Sequence, residues 1–101
     1  MATIRIAFLH LAPCLRDLQA NRRLIDRAVT TAATAGATWI LTPELCVCGY
    51  DFTDDLGTAW IVPPLDPWMA SLCQRAAHFG VTVFLSHPER DAQSGKCYNT
   101  L

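Results

Sequence analysis

Lysine is nearly absent from this chain: Lys96 is its only one in 101 residues. Acids and bases almost cancel, leaving a net charge of −1. That balance gives no basic stripe for neutralising phosphates, so nucleic acid is not an expected partner. No apolar run approaches the ~20 residues a membrane helix needs, and none is expected to enter a bilayer. The apolar stretch after Arg5 is too short for the core of a secretory signal. No G-x-G-x-x-G or Walker sequence occurs, which removes the common glycine-rich phosphate cradles. Cys46 and Cys48 stand one residue apart, which is neither a zinc spacing nor a redox C-x-x-C. No second Cys or His pair completes a metal set, so no metal site is expected. Five cysteines without a secretory leader read as free thiols of a reducing cytoplasm, most of them small core residues.

Apolar residues, by contrast, are plentiful at 51%. A domain of this length buries only part of its unfolded surface, so such a content exceeds what a small self-covering core needs. Some apolar faces are therefore expected to meet further chain or a partner.

The pattern along the chain alternates strands and helices. Ile4 to Leu11 reads as a strand covered on both faces, with His10 and Pro13 at its exit. His10 reads as a hydrogen-bonded structural histidine. Asp17 is placed to cap a helix whose apolar stripe is Leu18, Ile25, Ala28, Val29 and Ala32. Arg22, Arg23 and Arg27 read as its solvated face, and Asn21 as a residue that bonds across to a neighbouring element. Gly36 stops this helix. Thr38 to Leu41 is a second strand. Residues 49–64 form a long connection rich in turn residues, with Tyr50, Phe52 and Trp60 as aromatic anchors. The pair Asp54-Asp55 lacks further oxygen ligands and carries no cation site.

Asp66-Pro67 is a cap followed by proline at the first helical position. Met69, Leu72, Cys73 and Ala76 form the buried stripe of that helix, and Gly80 ends it. Val81 to Leu85 is a third strand, Ser86 to Arg90 leaves the sheet, residues 91–96 turn, and Cys97 to Leu101 begins another strand. The order β-α-β-loop-α-β-turn-β implies an α/β fold with right-handed crossovers and parallel early strands, closed by a hairpin.

One acid stands out. Glu44 follows Pro43 directly after the second strand, and Leu45 and Val47 lie beyond it. Proline suits the end of a strand. The carboxyl edge of an open sheet is where such folds bind ligands. Partial burial there would raise the carboxyl's pKa and make it a base useful near neutral pH. A solvated loop acid is the competing reading.

These fragments together resemble the amino-terminal part of the nitrilase superfamily, the carbon–nitrogen hydrolases. The matching text is IAFLHLAP in the first strand, Asn21 in the first helix, and Ala35-Gly36-Ala37 before the second strand. It continues with TPELCVCGYDF at 42–52 and with Gly95 and Tyr98-Asn99-Thr100. The resemblance implies the front part of a four-layer α-β-β-α sandwich, with residues 1–101 as an incomplete carbon–nitrogen hydrolase domain. It implies a Glu-Lys-Cys mechanism that passes through a thiol acyl-enzyme and needs no cofactor, acting on a small amide or nitrile. Glu44 matches the family's general base, and Tyr50 matches a stretch that walls the substrate pocket. Lys96 precedes the Tyr-Asn-Thr segment, whereas the family's lysine follows it, and the family's nucleophile lies in a later turn. Cys46 and Cys48 therefore take no catalytic role, and the chain alone is expected to be inactive. The resemblance also implies a homo-oligomer for the complete protein. The alternatives are a non-catalytic α/β binding module and a module that modulates the oligomer of a complete hydrolase.

Overall fold

The computed structural model describes residues 2–101. Three short strands form a parallel sheet in the order β1-β2-β3: β1 (Ile6–Phe8), β2 (Trp39–Leu41) and β3 (Thr82–Phe84). Helix α1 (Leu18–Thr34) makes the first crossover. The second crossover holds a single turn, α2 (Thr53–Leu56), and then helix α3 (Pro67–Phe79). A separate antiparallel hairpin follows, β4 (His87–Arg90) and β5 (Cys97–Thr100).

Local chemistry sets the helix ends. Asp17 Oδ1 accepts the Ala20 N–H at 2.9 Å, and Asp66 Oδ1 accepts the Met69 N–H at 2.7 Å. Each cap satisfies a donor that the first helical turn leaves open. Gly80 closes α3 in the left-handed region, with φ 65°.

Parallel register places Ala7, Ile40 and Val83 side by side across the sheet. Ile40 is fully buried and packs with Ile25 and Val29 of α1 and Leu72 of α3. Successive strand residues alternate faces, so Ile6, Phe8, Trp39 and Phe84 belong to the other side. There the cover is missing: Phe8 is 65% exposed, and Ile6 and Trp39 are exposed as well. Trp39 and Phe84 meet edge-to-face with centroids 5.5 Å apart. The first strand is therefore covered on one face only, which corrects the expectation of two.

Asn21 is the polar centre of the core. It is 1% exposed, and its Oδ1 accepts the Cys14 N–H at 2.6 Å. Its Nδ2 donates to the carbonyls of Cys14 at 2.9 Å and Val47 at 3.0 Å. The side chain thus joins the chain before α1 to the segment after β2, as its place beside the apolar stripe implied.

Several expectations need correction. Arg22 is not a solvated residue; it reaches Asp66 at 3.4 Å and lies over the Trp68 ring at 5.6 Å. Trp68 Nε1 in turn donates to Asp26, which pairs with Arg75, so this network ties α1 to α3. Of the five cysteines only Cys46 and Cys48 are buried; Cys14, Cys73 and Cys97 are exposed. His10 is exposed and makes no side-chain hydrogen bond among the described residues. Residues 87–90 do not simply leave the sheet but form β4, in which Pro88 is buried opposite Asn99.

The long connection is held at three points. Phe52 and Trp60 meet edge-to-face at 5.5 Å, and Trp60 Nε1 donates to the Gly57 carbonyl at 2.9 Å. Arg90 of β4 donates from Nε to Ile61 O at 2.7 Å, from Nη2 to Thr58 O at 2.6 Å and from Nη1 to Gly95 O at 2.8 Å. Asp55 pairs with Arg16 at 2.9 Å.

Candidate active site at the end of the second strand

Strand β2 ends at Leu41, and the chain turns through residues 44–48. Side chains from the neighbouring strand fix this turn. Thr42 Oγ1 donates to Phe84 O at 3.2 Å and accepts the Ser86 N–H at 3.0 Å. Ser86 Oγ accepts the Leu45 N–H at 2.9 Å, and Ser86 is only 7% exposed. Leu45 itself has φ 51°. That left-handed conformation is costly for a residue with a branched side chain, and such strain gathers at functional sites. The Leu45 carbonyl accepts from Cys48 N at 3.1 Å and Gly49 N at 2.7 Å. Gly49 also has positive φ, at 78°, and a Cβ there would come within 3.1 Å of Leu15 Cδ2. The turn is therefore specified on both sides of Glu44.

Glu44 is exposed, so the partial burial expected of it is absent in this chain. It nevertheless does not stand in open water. It lines a cleft of about 360 Å³ with Leu41, Thr42, Phe84, Ser86, Asn99, Thr100 and Leu101. Asn99 Nδ2 donates to Glu44 Oε1 at 2.9 Å. The two residues are far apart in sequence, and the hairpin brings them together. Tyr50 does not line this cleft; it is 60% exposed. His10 lies in a neighbouring groove with Leu41, Thr42 and Pro43.

The nearby thiols are held in their neutral form. Burial pushes the Cys46 thiol up from its ordinary value. Burial, and secondly the proximity of Cys46, push the Cys48 thiol up to about 11. A thiolate is the attacking form of cysteine, so both are poor nucleophiles near neutral pH. No group of three His, Cys, Asp or Glu side chains suited to a metal occurs among the described residues. None of the described helices is long and apolar enough to cross a membrane.

The Carbon-nitrogen hydrolase family matches residues 5–101 of this chain. The chain belongs to that family. Among solved structures, it is similar to a glutamine-dependent NAD(+) synthetase from Cytophaga hutchinsonii, with 30% identity and a TM-score of 0.70. That match covers 97% of this chain but 16% of the synthetase chain. The α/β arrangement found here, a parallel sheet with helices on one face, matches the fold of the corresponding part of that synthetase. No curated protein matches.

Two features of the site were beyond sequence reasoning. Ser86 was read only as the start of an exit, and Asn99 only as part of a matching fragment. The signal available for both was position. Ser86 directly follows the end of β3, and Asn99 is centred in the strand that returns beside it.

Proposed function

We propose that this chain forms the front portion of a carbon–nitrogen hydrolase domain in which Glu44 is the general base. The supporting observation is the placement of its carboxylate at the carboxyl end of β2, inside a cleft and bonded to a side chain from another element. A cysteine from the remainder of such a domain would meet it there. Glu44 takes the thiol proton, and sulfur attacks the carbonyl carbon of an amide. A lysine ammonium stabilises the negative charge that develops on oxygen. Glu44 then passes that proton to the nitrogen, the C–N bond breaks, ammonia leaves, and a thioester remains. Water adds to the thioester carbon, losing its proton to Glu44, and the acid product departs as the thiol re-forms. Overall, amide and water become acid and ammonia.

The likeness to a glutamine-dependent enzyme favours a primary carboxamide, such as the side chain of glutamine, over a nitrile. Alone, residues 1–101 lack the lysine and nucleophile of this scheme and are inert toward amides. The bare face carrying Ile6, Phe8 and Trp39 supports a domain completed by further chain or by association.

The test joins residues 1–101 to a Lys- and Cys-bearing remainder of the domain and measures ammonia release from glutamine and simple amides. Glu44→Gln is expected to abolish at least 100-fold of the rate, the usual contribution of a general base. Retained turnover in that variant, or turnover by the 101-residue chain alone, overturns the reading.

A further inference from the structure

The carboxylate of Glu44 has two oxygens, and the fold occupies one of them. Asn99 Nδ2 bonds Oε1 at 2.9 Å, while no other side-chain bond to the carboxylate occurs among the described residues. Asn99 reaches this place by a short structural chain. Ser86 Oγ holds the backbone immediately after Glu44. Strand β4 begins at the next residue, His87, and its Pro88 lies opposite Asn99 in the hairpin register. The turn that carries Glu44 and the strand that carries Asn99 are thus fixed to each other through residues 86–88.

We propose that Asn99 is a positioning residue for Glu44: its amide holds Oε1 and leaves Oε2 as the atom that takes a proton in the cleft. This rests on the general-base reading above. The chemistry of the amide suits the task. It donates to the carboxylate, yet it has no basicity with which to compete for the proton. It also removes rotamer freedom from an exposed glutamate, whose unbound side chain would sample several staggered positions. A merely structural role fits less well, because both side chains are exposed and a single bond between exposed groups contributes little to folding.

The experiment uses the joined protein and compares Asn99→Ala and Asn99→Asp with the parent. Asn99→Ala is expected to lower kcat/KM about 10–100-fold, the range for a lost bond to a charged group. The loss should fall on kcat and leave KM unchanged, as expected when the base is no longer held in place but binding is kept. Asn99→Asp keeps the shape of the side chain but removes the donor and should lose at least as much. Unchanged kcat with a raised KM overturns the proposal. If Glu44→Gln leaves turnover intact, the base assignment itself fails. If Glu44→Gln abolishes turnover while Asn99→Ala does not change it, only the role of Asn99 fails. A second measurement needs no catalysis: in the 101-residue chain, Glu44→Ala should move the NMR signals of the Asn99 side-chain amide, because it removes their acceptor. Amide signals unmoved by that substitution overturn the contact.

Discussion

Asn21 and Glu44 are the two polar side chains on which this chain turns, and the fold treats them in opposite ways. Asn21 is buried, and both its amide donors and its carbonyl oxygen are bonded to backbone on either side of α1. Glu44 is exposed, has one side-chain partner, and keeps an oxygen uncommitted. The first arrangement fixes structure, because a buried polar group is tolerated only when its partners are present. The second fits chemistry, since a group that must exchange a proton needs an unfilled valence. The two bear on one turn: Asn21 holds Val47, three residues beyond Glu44.

Substitution should separate the two most sharply at Asn21. Asn21→Ala strands the Cys14 N–H and the Cys14 and Val47 carbonyls, and is expected to cost about 3 kcal/mol. Chemical denaturation of the joined protein measures this; a change below about 1 kcal/mol would show that water replaces the side chain, and the contrast would dissolve.

The buried thiols on either side of Val47 give a smaller effect that depends on pH. Folding raises the Cys48 thiol from 9.0 to about 11 and shifts Cys46 in the same direction. The folded state therefore holds these protons more tightly than the unfolded chain. Their contribution is fully present below about pH 9 and is lost as pH rises toward about 11. Stability followed across that window should fall, and Cys48→Ala should flatten the slope, measured as the difference between the two proteins. An identical slope in both would place the alkaline loss elsewhere.

The smallest expected effect is on the stability of Glu44→Gln. An exposed residue whose replacement can still accept from Asn99 should change unfolding free energy by less than about 0.5 kcal/mol. Denaturation midpoints matching those of the parent would sharpen the contrast with Asn21, whereas a large loss would make Glu44 structural.

How much of this was legible depended on the range of each signal. The caps at Asp17 and Asp66 act over three residues, and both were readable. The parallel sense of the first three strands followed from the alternation of strands and helices. The bond made by Asn21 was legible because a polar residue beside an apolar stripe must find a partner. Strand β4 was not, since His87, Pro88, Glu89 and Arg90 have neither strand propensity nor alternation, and pairing with β5 alone makes them extended. The exposure of Glu44 and of Cys73 was likewise hidden, because solvent contact depends on which layers surround the sheet. Arg22 was misread for a related reason: its spacing put it on a polar face, but Trp68 and Asp66 of a distant segment cover that face.

Arg90 links these regions without belonging to either. Its guanidinium spends its donors in three directions, on carbonyls of Thr58, Ile61 and Gly95, and no carboxylate neutralises it among the described residues. A lysine has a single head and cannot span that triangle. The hairpin that presents Asn99 is thereby moored to a meandering stretch thirty residues upstream. A shortened or lengthened meander would swing the hairpin like a door on a displaced hinge, and the glutamate would lose its companion although neither residue had been altered.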